Sequence, residues 1–250
     1  ELAVEIAKME ATGAAADAIA EKRDLLEKID GFAEQNPMLG MRGCRLGIVY
    51  PILPEMQVRA ITTACAKLQK EGFSPKPEIM IPLVSVLPEL AKLRGVAEAV
   101  IADVSADEGV ELDIPVGTMI ELPRAAVTAN EIATEADFFS FGTNDLTQTT
   151  FGFSRDDVEG EFVPQYLAEH LLPYNPFATI DPGVAKLVEM GVALGHEGNP
   201  DLVCGVCGEH GGDPESIHTF NRIGLDYVSC SPYRVPVARL AAAQATIKQR

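Results

Sequence analysis

Residues 114–145 read IPVGTMIELPRAAVTANEIATEADFFSFGTND, and their rhythm decides the fold. Two apolar runs, Ile114–Ile120 and Asp137–Phe141, each lead into a polar cluster, and an alanine-rich helical stretch, Arg124–Ala136, separates them. Apolar runs rich in β-branched and aromatic residues, without a polar alternate face, mark strands covered on both sides. Parallel neighbours need a crossover, which the intervening stretch provides. The same unit repeats outward, with strands predicted at Leu46–Tyr50, Ile79–Val84, Leu202–Cys207 and Tyr227–Cys230. Helices are predicted at Met56–Lys70, Pro88–Ala102 and Pro182–Leu194, and two more within residues 1–30, broken at Gly13. Residues 152–180 hold Gly, Pro, Asp and aromatics without a period and read as a long excursion after one strand.

Repeated βα units allow an open doubly wound sheet or a closed eight-stranded barrel. The glycine fingerprint of a dinucleotide-binding sheet is missing, as is a phosphate-cradling loop ending in Lys-Ser/Thr. Polar residues gather just after the strands, as at the catalytic face of a barrel. The reading is therefore an α/β fold, a (βα)8 TIM-type barrel that is incomplete, with about six of its eight strands present. Residues 1–30 form an N-terminal helical segment and 31–250 the barrel domain. The chain opens at Glu1 inside a helical pattern, so a piece of a longer polypeptide is expected, with the missing strands upstream.

The 250 residues carry 20 Lys plus Arg against 37 Asp plus Glu, a formal charge of −17. That acidity argues against a nucleic-acid partner, which needs clustered basic residues, and against adhesion to an anionic membrane. The sequence holds no apolar run of about 18 residues, the length that spans a bilayer. Five cysteines in a chain this long fit free thiols in a reducing compartment better than a disulfide framework. With no secretory leader pattern, a cytoplasmic placement is expected, or an organelle if the parent carries a transit peptide.

The chemistry sits at strand ends. Glu121 follows the strand Ile114–Ile120, and Asp145 follows Asp137–Phe141. On parallel neighbours the two carboxylates emerge on one face, a hard oxygen pair suited to Mg2+ that keeps open positions for water and substrate. The bland alternative makes Glu121 a partner of the next helix and Asp145 its N-cap. Gly142 and Thr143 let backbone N–H groups approach an anion. Cys204 and Cys207 read as a redox pair, half a zinc site, two core thiols, or, for Cys207, a strand-end thiol able to protonate carbon. Arg42 and Arg45 precede a predicted strand and can fork onto a carboxylate or phosphate, and Arg155 has the same capacity.

Several of these stretches resemble the pyruvate, phosphate dikinase family: Asn36–Gly47, Glu78–Val84, Gly117–Arg124, Phe138–Asp157, Gly205–Pro214 and Tyr227–Gln244. The likeness runs from about Gly31 to the C-terminus and corresponds to the family's C-terminal phosphoenolpyruvate/pyruvate-binding (βα)8 barrel. Phe-Phe-Ser-Phe-Gly-Thr-Asn-Asp-Leu-Thr-Gln and Cys-Gly-Glu-His-Gly-Gly-Asp-Pro are its most specific wording. Met41 departs from the pattern, standing where the family usually shows His before Arg42. The resemblance implies Glu121 and Asp145 as Mg2+ ligands. It implies Gly142, Thr143 and Asn144 as the loop contacting the substrate's carboxylate and phosphoryl oxygens. Cys207 would be the acid that protonates phosphoenolpyruvate at its methylene carbon, Arg42 and Arg45 the neutralisers of the phosphoryl group, and Arg155 a further anion contact. His210 is read as ordering its glycine-rich loop.

The parent reaction so implied is that of a phosphotransferase, converting ATP, pyruvate and phosphate to AMP, phosphoenolpyruvate and pyrophosphate. Neither a Thr-Ser-His-type carrier motif nor a nucleotide-binding region is present in the chain. The implied partners are therefore a phosphohistidine carrier domain and an ATP-binding domain of the parent chain, with a second copy as a homodimer. This chain alone is expected to be inactive in the full reaction. Phosphoenolpyruvate synthase is the alternative parent, a non-catalytic dimerisation module the alternative role, and metal aldolases on similar barrels a more distant reading.

Overall fold

Five parallel strands and their crossover helices make up most of the chain in a computed structural model that describes residues 1–31 and 34–248. The chain divides into two units, Glu1–Met41 and Arg42–Arg250. The domain boundary proposed at 30/31 adjoins residues 32 and 33, which lie outside the described residues. In the first unit, α1 (Leu2–Ala11) and α2 (Ala16–Gly31) flank Gly13, whose φ of +70° breaks the helix as expected. Ion pairs Glu5–Lys22 (2.8 Å) and Glu10–Arg23 (2.6 Å) join the two helices, and such exposed pairs contribute under about 1 kcal/mol each.

The second unit runs α3 (Gly43–Val49), α4 (Ile52–Lys70), β1 (Ile79–Ile81), α5 (Leu87–Glu108), β2 (Val116–Ile120), α6 (Pro123–Val127), α7 (Ala129–Ile132), β3 (Phe138–Gly142), α8 (Thr143–Phe151). It continues α9 (Arg155–Val158), α10 (Val163–Ala168), α11 (Pro182–Gly198), β4 (Val203–Cys207), α12 (Pro214–Ile223), β5 (Tyr227–Val228) and α13 (Val235–Lys248). All pairings are parallel and the strand order β1-β2-β3-β4-β5 follows the chain. A doubly wound sheet reverses its order about a central strand; an unreversed order is how successive βα units wind in a barrel. Among the described residues five strands are present where six were expected, so the architecture seen is a parallel α/β sheet, and its completion to eight strands stays a proposal.

The missing sixth is Leu46–Tyr50, which is helical. Cys44 and Ile48 stand four apart and both face the main core, a helical spacing, whereas Val49 and Tyr50 are exposed. The helix stops where Tyr50 precedes Pro51, as the residue before a proline disfavours the α region. A short apolar run carries no periodicity that separates strand from helix. The predicted helix Arg124–Ala136 is likewise broken into α6, α7 and a 3-10 turn, Ala133–Glu135, around Thr128. The excursion at 152–180 holds α9 and α10 over a small core of Val158, Val163 and Phe177.

Strand alternation sorts the sheet's two faces. Phe139 and Phe141 turn to α11, whose Gly195 and Gly191 leave room for their rings: a Cβ at Gly191 would stand 2.7 Å from Phe141. On the other face Gly117, Gly142 and Gly205 make way for Phe138, Glu121 with Met119, and the Tyr227 ring, respectively. Burying each of the three phenylalanines, Phe138, Phe139 and Phe141, stabilises by about 1.5–3 kcal/mol. No described helix is long and apolar enough to cross a membrane.

Candidate active site at the strand ends

Because every strand is parallel, residues just past β1, β2, β3 and β4 share one rim. Glu121 leaves β2 and is 4% exposed. It does not cap the following helix. Its Oε1 accepts the Leu83 N–H at 2.7 Å, while the N-cap Leu122 of α6 makes no side-chain cap. Leu83, just beyond β1, has φ +63°, a left-handed conformation costly for a leucine, and this turns its N–H toward the carboxylate. Burial first and then the charge of Asp145 raise the Glu121 carboxyl to about 7, against the opposing Leu83 N–H and Arg42.

Asp145 lies in the first turn of α8 and is not its N-cap; that position is Gly142. Its oxygens accept Arg42 Nη2 at 2.8 Å, Arg42 Nη1 at 3.3 Å and Gln148 Nε2 at 3.0 Å. Arg42 arrives from 103 positions away in sequence. Its neighbour Gly43 (φ +57°) lies against Leu83, Cys44 N–H bonds the Pro82 carbonyl at 3.0 Å, and the Cys44 thiol donates to the Leu83 carbonyl at 3.2 Å. The turn that holds Glu121 therefore also seats the arginine facing Asp145. A Cβ on Gly142 would meet Glu121 Oε2 at 2.5 Å, so glycine there is the space the carboxylate occupies.

Cys207 ends β4 opposite Gly142. It is partly buried, and burial holds its thiol protonated, with the Glu121 charge acting the same way and a hydrogen bond from Ser140 opposing. Cys204, three residues earlier, points to the other face, fully buried and pushed up to about 12. Opposite faces exclude both the redox pair and a shared zinc for these two. Asn144 Oδ1 accepts the Glu209 N–H at 3.1 Å, tying the β3 and β4 loops together. Thr143 opens α8 beside the buried His210.

Arg45, expected before a strand, lies half-buried on α3, where its charge acts on the Cys44 thiol. Arg155 meets the pair through an intermediary: its N–H donates to Gln148 Oε1 at 2.8 Å, while its guanidinium pairs with Glu159 (3.2 Å) and lies 5.9 Å from the Phe177 ring centre. Leu83, Ser140 and Gln148 were missed from sequence. Only Gln148 left a signal, three residues after Asp145 on one helix.

Among the described residues no group of three or more His, Cys, Asp or Glu forms a metal cluster. The pair Glu121–Asp145 nevertheless fits a hard divalent cation. The buried Glu121 and the partly buried Asp145 repel each other, Gly142 leaves room for the Glu121 carboxylate, and a two-carboxylate set completed by water and substrate oxygens is the usual demand of Mg2+.

Comparison with known proteins follows the same outline. A profile described as PEP-utilising enzyme, PEP-binding domain, matches residues 15–247. Pyruvate, phosphate dikinase, chloroplastic, of Flaveria bidentis is 55% identical over 237 residues, covering 94% of this chain and 24% of that protein. Pyruvate, phosphate dikinase 1, chloroplastic, of Arabidopsis thaliana is 55% identical over 90% of this chain and 23% of its own length. Pyruvate, phosphate dikinase 2 of Zea mays is 52% identical over 91% and 26%. The chain thus spans about a quarter of the length of these relatives. A crystal structure of a citrate lyase from Burkholderia xenovorans aligns at TM-score 0.50 and 18% identity, covering 75% of this chain and 53% of that one. That likeness concerns the fold alone and is consistent with a TIM-type barrel.

Proposed function

We propose, on the premise that this chain belongs to the PEP-utilising enzyme family and spans its PEP-binding domain, that it binds pyruvate and phosphoenolpyruvate for a pyruvate, phosphate dikinase. The reaction served is phosphoryl transfer between a phosphohistidine carrier domain and pyruvate enolate, with an ATP-binding domain supplying the carrier. A second copy of the chain and a cytoplasmic or organellar setting belong to the same proposal. The observation that carries it is the convergence of Glu121, Asp145 and Arg42 beside Cys207 at one rim of a parallel sheet.

Each residue has a task that its chemistry supports. Glu121 and Asp145 would hold Mg2+, which when bound supplies Lewis-acid stabilisation of charge on the enolate oxygen. Glu121 must give up its proton to do so, and the raised carboxyl is poised near neutrality. Arg42 offers a planar fork to the phosphoryl oxygens, where the loose transition state spreads its charge. Arg45 and Arg155 add positive charge around the same anion. Gly142, Thr143 and Asn144 present backbone and amide donors to the carboxylate. The Cys207 thiol, kept protonated by burial, delivers a proton to the methylene carbon of phosphoenolpyruvate and, as thiolate, removes one from the methyl of pyruvate.

Titration of this chain with oxalate, a planar mimic of enolpyruvate, tests the reading by calorimetry with and without Mg2+. Binding that needs Mg2+ and is lost in Asp145→Asn is the expected result. Binding indifferent to Mg2+, or unchanged in Asp145→Asn, removes the carboxylate pair from the site.

A further inference from the structure

His210 is the one fully buried histidine among those described, and both its ring nitrogens are engaged. Nε2 lies 2.8 Å from the Pro176 carbonyl oxygen and Nδ1 lies 2.7 Å from Thr143 Oγ1. A carbonyl oxygen only accepts, so Nε2 carries the proton. Burial disfavours the imidazolium and lowers the ring below the usual histidine range, which leaves Nδ1 a lone pair. The Thr143 hydroxyl has one proton and two acceptors in reach, Nδ1 at 2.7 Å and the Cys207 carbonyl at 3.1 Å. The closer nitrogen takes it.

The contact sits where three segments meet. Gly208 (φ +101°) brings the β4 loop so close that a Cβ there would stand 2.9 Å from Thr143 Oγ1 and 3.0 Å from Asn144 Oδ1. Pro176 belongs to the 152–180 excursion, whose other end is tied to the site through Arg155 N–H, Gln148 and Asp145. Between those ends Asn175 donates to Glu159 at 3.0 Å and accepts the Phe177 N–H at 2.9 Å, and Glu159 pairs with Arg155. His210 therefore closes a hydrogen-bonded circuit running from Thr143 through the excursion and back to Asp145.

We propose that His210 is a positioning residue whose Nε2–H tautomer, set by the Pro176 carbonyl, takes the Thr143 hydroxyl proton and leaves Thr143 to meet an anionic ligand through its backbone N–H alone. The ligand half of this inference rests on the proposed function; the tautomer half does not. Thr143 is the first residue of α8, where backbone N–H groups lack helical acceptors and favour an anion. A hydroxyl committed to His210 holds that turn in one orientation and keeps a competing donor off the ligand.

Two measurements on this chain test it. Long-range proton–nitrogen NMR at pH 7, with the His210 signals identified by their loss in His210→Gln, is expected to show Nε2 protonated and Nδ1 bare. An Nδ1–H ring or an imidazolium overturns the proposal. Oxalate titration with Mg2+ then separates the two ends of the ring. His210→Asn keeps an acceptor near Nδ1 and is expected to bind within about threefold of the parent. His210→Gln keeps a donor near Nε2 but frees the Thr143 hydroxyl to turn to the Cys207 carbonyl, and is expected to bind about tenfold more weakly, as loss of a supporting hydrogen bond around a metal site does. Equal losses in both variants, in step with equal losses of thermal stability, reduce His210 to packing and overturn the positioning role. If the parent chain itself ignores oxalate, the functional reading fails while the NMR result still decides the tautomer.

Discussion

The two ends of the sheet carry acidic residues to opposite purposes. At the end where strands begin, two aspartates each hold a backbone N–H of their own. Asp137, just before β3, accepts Val116 N–H at 2.7 Å, and Asp226, just before β5, accepts Cys204 N–H at 2.8 Å. The same device is used twice, an aspartate ahead of one strand holding the start of its neighbour. Arg94 completes this end, donating to the Val116 and Glu135 carbonyls and pairing with Asp137 and Glu98. At the end where strands finish, Glu121 and Asp145 are pressed together instead, relieved by Arg42, the Gln148 amide and the strained Leu83 N–H. Satisfied charges hold a fold in register. Crowded, partly satisfied charges are what the proposed cation would relieve.

The sharpest break between the ends should come from Cys207→Ala. In the full-length parent, exchange of solvent deuterium into the pyruvate methyl should fall by about 100- to 10,000-fold, the usual contribution of a positioned acid–base, with Mg2+-dependent oxalate binding retained. Undiminished exchange in that variant takes Cys207 out of the chemistry. Next in size, Asp145→Asn should weaken Mg2+-dependent oxalate binding by about 100-fold while leaving thermal unfolding nearly in place.

Asp137→Ala should do the reverse. It strands the Val116 N–H and one arm of Arg94, costing about 1–3 kcal/mol of stability, read from denaturant unfolding, with oxalate affinity unchanged. Were Asp137→Ala to weaken ligand binding as much as Asp145→Asn, the division of labour between the two ends would collapse. Gly191→Ala, behind the sheet, should cost a similar amount, about 1–3 kcal/mol, because its Cβ would stand 2.7 Å from the Phe141 ring.

The smallest effect is one of pH. Burial and Asp145 raise Glu121 from an ordinary 4.5 to about 7. A carboxyl raised on folding binds its proton more tightly in the native state, so its contribution to stability is full below about 4.5 and is lost as pH rises through about 7. Without metal, Glu121→Gln should therefore gain melting temperature over the parent as pH rises from 5.5 to 8. Added Mg2+ should stabilise the parent more at pH 8 than at pH 5.5. A gap between the two proteins that is flat with pH would mean that Glu121 is not raised.

Much of the sheet was legible because β2, β3 and β4 are largely apolar runs; β2 and β4 lie within their predicted spans, and β3 passes the end of its span by one residue, Gly142. The ends of those runs carried Glu121, Asp145 and Cys207, and parallel pairing alone puts them on one rim. The helix at Gly43–Val49 was not legible, since seven residues containing two glycines and an arginine satisfy neither period decisively. Cap readings for Glu121 and Asp145 were reasonable from position, and were displaced by partners remote in sequence, Leu83 and Arg42.

What the sequence determined by itself was local: most of the alternation of strand and helix, and the polar residues and the Cys207 thiol stationed at strand ends, because each depends on periods of two or 3.6 residues and on chain order. What only the tertiary structure decided was which charge meets which. Arg42 reaches Asp145, a left-handed Leu83 reaches Glu121, and a proline carbonyl sets the tautomer of His210. Those outcomes depend on desolvation and on the direction of single donors and acceptors brought together by packing, and neither leaves a mark in the spacing of residues along the chain.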